Sequence, residues 1–306
     1  MESELIRHLR ERIAADPRAP LGLGDDAAVL HLAAPGCVVT SDLLTDGVDF
    51  QLHEVDLRRV GHKSLAVNLS DLAAMASRPI AAIVSLVLPR SDGLQIAKQL
   101  YDGMLPLAER FDVAIAGGDT NSWDGRLVIS VTAIGELPPR GPLTRKGAQA
   151  GDAILVTGAF GGSILARHID VEPRVREAML LHERYQLHAG IDVSDGLALD
   201  LSRLCTESGC GAVVELDAVP VHEDARRLAA QKADGRTALD HALGDGEDFE
   251  LVLAVPLEDA ERMLADQPLG IPLTCIGRFV SEPGLWQRDA AGDRRPLEPT
   301  GYEHRL

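Results

Sequence analysis

A stretch rich in proline, glycine and basic residues, "PPRGPLTRKGAQAGD" (138–152), interrupts a chain that otherwise alternates strand-like and helix-like segments. Neither a helix nor a strand runs through such a stretch. The chain is therefore expected to fold as two halves, each around its own core. In the first half, "DAAVLHL" (26–32), "CVVTSDLL" (37–44), "IAAIVSLVL" (80–88), "VAIAG" and "RLVISVTAIGEL" read as strands. A helix capped by Asp56 runs to about Met75, and a second, "DGLQIAKQLYDGMLPLAERF", starts with Asp92 as N-cap. The pattern restarts beyond the break with strand "AILVTG", glycine turn "AFGG" and helix "SILARHI". Strands "AGID", "GAVVELD" and "FELVLAV" then alternate with helices near 196–207 and 257–266. The fold class is α/β (α+β), with domains at 1–137 and 151–306 and a linker at 138–150. A length of 306 residues suits two domains. Strand order is not encoded in this pattern.

The net charge of −17 argues against a nucleic acid or an anionic membrane surface as partner, because both are negative. An anionic substrate would need metal cations as mediators. The four cysteines form no C-x-x-C pair, which argues against zinc and for buried free thiols in a reducing compartment. The N-terminus lacks the apolar core of a signal peptide, and "IAAIVSLVL" is too short to span a bilayer as a helix. The expected location is the cytoplasm.

"LAVNLSDLAAM" (65–75) reads as a core-facing helix with Leu65, Leu69, Leu72 and Met75 on one face. Asn68 falls inside that apolar arc and Asp71 at its edge, where burial is costly unless something meets them. Acidic residues also recur at turns, in "GLGDDAAV", "VTSDLLTDGVDF", "GGDTN", "GIDVSDGLALDL" and "GDGEDFEL". Any one of these is adequately explained as a turn or cap. As a set they fall at successive strand ends, where side chains converge, and converging carboxylates repel unless cations lie among them. Hard oxygen ligands select Mg²⁺ or Ca²⁺, and Mg²⁺ commonly bridges carboxylates to phosphates. The implied site is one for a nucleotide with Mg²⁺. There is no G-x-x-x-x-G-K-[ST], and "VTGAFGGS" (156–163) is read as a close-packing turn rather than an anion cradle.

"LGLGDDAAVL", "TSDLLTDGVDF", "KSLAVNLSDLAAM", "GGDT", "LTRKGAQAGD", "GIDVSDGL" and "GEDFEL" occur in an order that resembles the thiamine-monophosphate kinases, of the aminoimidazole ribonucleotide synthetase superfamily. The resemblance covers nearly the whole chain. It implies ATP-dependent phosphorylation of thiamine monophosphate to thiamine diphosphate. It also implies an N-terminal mixed sheet that pairs with a second copy in a homodimer, a C-terminal α/β domain, and a cleft holding ATP and several Mg²⁺ ions. Carried over by motif, Asp26, Thr40, Ser41, Asp42, Asp71, Asp119, Asp192 and Asp195 are implied metal ligands. Gly118, Asp119, Arg145 and Ser194 are implied nucleotide contacts, with Asp42, Asp119 and Arg145 in the catalytic step. Asp49 and Glu247 fall on the substrate side. Asn68 would support Asp71.

Two positions depart from the family pattern. Asp49 in "GVDF" replaces a histidine, and Pro299 in "LEPTGYEH" replaces an aromatic residue. Both lie on the substrate side, which keeps two alternatives in play: another ATP-using enzyme of the superfamily, or a nucleotide-binding protein without turnover. The first 24 residues contain no cysteine or lysine, and the chain ends "GYEHRL" without a cysteine, against the selenophosphate synthetase and hydrogenase-maturation variants.

Overall fold

The computed structural model describes residues 2–13, 16–19, 30–33, 36–231, 234–288 and 292–303. The chain divides into two compact units. The first comprises Met1–Leu72, Ser77–Pro139 and Ile169–Glu172; the second comprises Ala73–Ala76, Arg140–His168 and Pro173–Leu306.

The first unit contains α1 (Glu2–Arg12), β1 (Cys37–Thr45), α2 (Leu57–Ala74), β2 (Arg78–Pro89), α3 (Gly93–Arg110), β3 (Ala114–Trp123) and β4 (Val128–Glu136). Its sheet has the order β1-β4-β2-β3. β4 runs antiparallel to β1 and β2, and β2 pairs with β3 in parallel, so the sheet is mixed. In β2, Val84, Leu86 and Leu88 point inward while Ile83 points out, the period-two pattern of a sheet with one covered face. On α3, Ile96, Ala97, Leu100, Tyr101, Met104, Leu107 and Ala108 are buried at helical spacing. The Asp56 carboxylate accepts the Arg58 amide at 2.8 Å and so caps α2 as expected. Asp92 does sit at the N-cap of α3, but in a left-handed conformation (φ 60°) with no side-chain cap bond.

α2 departs from the one-faced helix that its spacing suggested. Residues 63–70 are all buried, so the helix is enclosed around its whole circumference there. Glycines make its crossing with α3 close: a β-carbon on Gly61 would lie 1.9 Å from the Leu100 carbonyl oxygen, and one on Gly103 would lie 1.7 Å from that of Arg58. The strand expected at 26–32 falls mostly outside the described residues, and 30–32 is irregular.

The second unit contains β5 (Ala153–Thr157), α4 (Val175–Arg184), β6 (Ala189–Asp192), α5 (Leu197–Ser208), β7 (Gly211–Glu215), α6 (Glu223–Gln231), α7 (Ala238–Gly244), β8 (Leu251–Val255), α8 (Leu257–Asp266), β9 (Leu273–Val280), β10 (Gly284–Arg288) and β11 (Arg294–Pro296). Its sheet has the order β11-β10-β7-β9-β5-β8-β6. Ile154, Val156, Leu201, Leu204, Val214, Val252, Ile276 and Phe279 form a core that is mostly aliphatic, as an aromatic content of 3% requires.

The helix expected at "SILARHI" is absent; only Ser163–Leu165 makes a single 3-10 turn. Gly161 and Gly162 precede it with φ of 88° and 76°, and the Arg167 guanidinium reaches back to the Gly161 carbonyl at 2.7 Å, which curls the chain out of helical register. Cys205 and Cys210 are buried and unbridged, as expected of free thiols, but Cys37 is exposed and Cys275 half-buried. Among the described residues no helix is long and apolar enough to cross a membrane.

Candidate functional site

Strand alternation divides the implied "TSD" ligand triplet of β1 between two faces. Thr40 and Asp42 turn toward α2, where the Thr40 hydroxyl donates to the Asp71 carboxylate. Ser41 turns outward, bonding the Thr132 hydroxyl at 2.9 Å, so its hydroxyl does not join the other two. Asn68 is fully buried: its amide donates to the Ser64 carbonyl at 3.0 Å, and its oxygen accepts the Asp42 backbone N–H at 3.2 Å. The polar residue inside the apolar arc is thus a bridge from α2 to β1, and the residue it supports is Asp42 rather than Asp71.

One oxygen of Asp42, Oδ2, is buried without any hydrogen-bond partner. Burial, together with the negative charges of Asp71 and Asp49, pushes its carboxyl up to about 7. A buried carboxylate oxygen without a donor, in the negative field of Asp71 and Asp49, is one that a hard cation would satisfy, and the Thr40 and Asp71 oxygens are the further oxygens that could hold it. Lys63, fully buried on α2, donates to the Asp49 carbonyl at 3.1 Å. The Asp49 carboxylate turns back onto the Thr45 amide at 2.7 Å, closing the turn after β1.

Asp119 is exposed in β3 and its carboxylate accepts the Thr120 amide at 2.8 Å. Gly118 beside it is also exposed. Asp26 lies outside the described residues. Among the described residues, no three acidic, histidine or cysteine side chains come together as a metal-ligand group.

In the second unit, Asp192 is buried at the end of β6, opposite Leu251 of β8. Asp195 is ion-paired with Arg203, which also bonds Asp200 at 2.7 Å. Asp200 is almost wholly buried and accepts the amides of Asp195 and Gly196 at 2.9 and 3.1 Å. Burial raises its carboxyl above the ordinary range. The loop carrying Ser194 is thus held from below by an acid and an arginine. The Ser194 carbonyl accepts the Glu247 amide at 2.7 Å, which brings these two implied contacts together. Arg145 is exposed, and its guanidinium has no hydrogen bond or ion pair among the described residues.

Glu247 and Phe249 both have left-handed backbones, φ 52° and 51°, each costing on the order of 1–3 kcal/mol for a non-glycine residue. The Asp248 carboxylate between them is buried and accepts the Gly161 N–H at 2.9–3.0 Å, with Arg167 at 3.1 Å. Burial pushes it up to about 7 against the lowering by Arg167 and Gly161. Asp245 accepts the Gly162 N–H at 2.8 Å. The Gly161 and Gly162 amides are therefore occupied by the protein's own carboxylates, and those of Gly158 and Phe160 by the Pro272 and Pro220 carbonyls, in agreement with a packing turn. Glu250, also buried, accepts the Thr157 hydroxyl at 2.6 Å and Arg174 Nε at 2.8 Å.

Lys63, Asp200, Arg203, Arg167, Arg174 and Glu250 were not singled out by sequence. For Lys63 a signal existed, a lysine flanking an apolar helical segment. Arg167 and Arg174 meet partners 81 and 76 positions away, and no local pattern shows that.

Comparison with known proteins covers both halves. Residues 24–137 match the family model "AIR synthase related protein, N-terminal domain" and 149–285 match "AIR synthase related protein, C-terminal domain". The chain is 42% identical to thiamine-monophosphate kinase of Rhodopirellula baltica, over 99% of this chain and 97% of that protein. The crystal structure of thiamine-monophosphate kinase from Stenotrophomonas maltophilia K279a superposes with a TM-score of 0.79 at 35% identity, covering 92% of this chain and 95% of that one. AaThiL complexed with AMPPCP and TMP superposes at 0.77 over 99% and 95%; at 24% identity that likeness shows the fold alone. Identity of this degree along the full length, on two AIR synthase related domains, means that the chain belongs to the thiamine-monophosphate kinase family.

Proposed function

We propose that this chain transfers the γ-phosphoryl group of ATP to thiamine monophosphate, giving thiamine diphosphate and ADP. The reading rests on full-length identity to a thiamine-monophosphate kinase. The observation that carries its chemistry is the partnerless, buried Asp42 oxygen beside Asp71. The acceptor is a phosphate monoester with a second pKa near ~6, so its oxygen is already anionic at neutral pH and needs no strong base. The work left to the protein is positioning and charge neutralisation.

Asp42 and Asp71, with the Thr40 oxygen, are the residues that would hold Mg²⁺, which when bound offsets charge on the triphosphate. Asp119, Asp192 and Asp26 are proposed as further ligands. Asp195 is the weakest of the set, since Arg203 already neutralises it. Arg145 is an unengaged guanidinium suited to phosphate oxygens. Gly118 and Ser194 are proposed to contact the nucleotide, and Glu247 the substrate. Asp49 serves here chiefly by shaping its turn, because its carboxylate is engaged by the Thr45 amide. The amide orients the carboxylate but leaves its negative charge, which already acts on Asp42.

The test is ADP release by purified protein with Mg²⁺ and ATP, with and without thiamine monophosphate. Release that depends on thiamine monophosphate is expected. Nucleotide binding without turnover would favour a binding protein, and turnover with only another phosphate compound would favour a different activity of the superfamily.

A homodimer through the first unit's sheet forms part of this proposal. Val39, Leu43 and Ile83 stand exposed on the outward face of β1 and β2, at 57%, 61% and 36%. These apolar side chains share one sheet face with Ser41 and Thr132 between them, and such a face is suited to pairing with a second copy. Leu43→Arg is expected to shift the species seen in light scattering from dimer to monomer. A monomeric unsubstituted protein at micromolar concentration would overturn the dimer. The cytoplasm is the proposed location, where ATP is available.

A further inference from the structure

The segment "DGEDFE" (245–250) is bound to the glycine turn 158–163 by several hydrogen bonds. Both oxygens of Asp248 accept the Gly161 N–H, at 3.0 and 2.9 Å. Arg167 binds the same two groups at once, the Gly161 carbonyl at 2.7 Å and Asp248 Oδ1 at 3.1 Å. The Ser163 hydroxyl donates to the Gly246 carbonyl at 2.7 Å. The Asp248 side chain is fully buried. On the other side, the amides of Glu247 and Phe249 bond the carbonyls of Ser194 and Val193 at 2.7 and 2.8 Å.

Glu247 is caught between these two sets of bonds in a left-handed backbone, φ 52°. A non-glycine residue keeps that conformation only when its surroundings over-determine it. Its immediate neighbour Asp248 is the side chain that ties the segment to the glycine turn. The turn in turn has no room to shift: a β-carbon on Gly161 would lie 2.6 Å from the Ala242 amide nitrogen, and one on Gly162 2.4 Å from that of Ala225.

We infer that Asp248, bridged by Arg167 to the Gly161 peptide, is a positioning residue that sets where Glu247 stands and thereby governs thiamine monophosphate binding. The inference rests on the proposed role of Glu247 as a substrate contact. Asp248 acts through the backbone of its neighbour and touches no substrate. The Ser194 loop is bonded to the Glu247 amide but is also held by Asp200, which accepts the Asp195 and Gly196 amides, so KM for ATP is expected to change much less than KM for thiamine monophosphate when Asp248 is altered.

The experiment measures KM for thiamine monophosphate, KM for ATP and kcat for Asp248→Asn, Arg167→Lys, Arg167→Met, Glu247→Gln and the double variant Glu247→Gln/Asp248→Asn. Asp248→Asn is expected to raise KM for thiamine monophosphate about tenfold while KM for ATP stays within about twofold. Arg167→Met should reproduce this, and Arg167→Lys should recover part of it. In the Glu247→Gln background the further change from Asp248→Asn should be under about twofold, because both act through one contact.

Full multiplication of the two effects would show that Asp248 acts independently and overturn the inference. So would equal rises in both KM values, or no rise, in Asp248→Asn while Glu247→Gln does raise KM for thiamine monophosphate. If Glu247→Gln itself leaves that KM unchanged, the reading of Glu247 fails and takes the inference with it. Should Asp248→Asn not fold, the two Arg167 variants decide the question by the same criteria.

Discussion

Asp42→Asn is expected to lower turnover by about 10²–10³-fold or more while leaving the protein folded, and to make the apo form more stable above neutral pH. The kinetic half follows from removing one negative charge from the proposed cation site. Asparagine keeps the size and one carbonyl oxygen but draws a cation weakly. The stability half follows from linkage. Asp42 has a folded-state pKa of about 7, raised first by burial and then by Asp71 and Asp49. An aspartate in an unfolded chain titrates near ~3.9. The folded protein therefore holds this proton more tightly, and the contribution to stability is present below about pH 4 and lost as pH rises through about 7. Asparagine has no proton to lose and escapes that penalty. Urea unfolding at pH 5 and pH 8 should show the variant gaining on the unsubstituted protein at the higher pH, by about 2–3 kcal/mol.

Mg²⁺ supplies a second check on the same site. At pH 8 it should raise the melting temperature of the unsubstituted protein and have a much smaller effect on Asp42→Asn, because only a charged carboxylate rewards the cation. Unfolding of the variant in apo buffer would make Asp42 a structural cap. Near-normal activity would remove it from the cation site.

Arg174→Met is expected to destabilise the second unit by about 3–5 kcal/mol, the typical effect of stranding one member of a buried ion pair. Glu250 sits at the strand ends of β5 and β8, 4% exposed, with Arg174 on both oxygens and the Thr157 hydroxyl at 2.6 Å. Methionine fills much of the volume of the arginine stem but leaves the carboxylate with the hydroxyl alone. A fall in melting temperature on the order of 10 °C corresponds to that energy in a domain of this size. The companion variant Arg174→Met/Glu250→Gln should recover a large part of the loss, since a neutral amide is far cheaper to bury. A loss below about 1 kcal/mol would mean that water reaches the carboxylate in the folded state. Failure of the double variant to recover would assign the effect to lost packing of the arginine stem.

Local spacing carried much of the fold. The buried strand at 80–88, the Asp56 cap and the helices near 196–207 and 257–266 each depend on neighbours within a few positions, and they form as read. Period-two alternation, applied to "TSD" in a strand, already separates Ser41 from Thr40 and Asp42. The helix expected at 163–169 failed because Gly161 and Gly162 set up a turn, and Arg167, which fits a helical pattern, instead serves a carboxylate 81 residues away. Asp195 is implied as a ligand by the motif resemblance. Its pairing with Arg203 depends on the path of α5, which spacing does not encode.

By itself, the sequence determined the residue types and their order: two alternating halves, an excess of carboxylates at turns, an amide and an acid inside an apolar helix, and the motif succession of a kinase family. These depend on composition and on contacts along the chain. Tertiary structure alone decided which polar groups meet. It enclosed α2 on all sides, tied Asn68 to the backbone of Asp42, left one Asp42 oxygen unmet, and locked Glu247 in a left-handed backbone. The physical reason is that a buried polar group must be satisfied in three dimensions, by donors that chain separation does not predict.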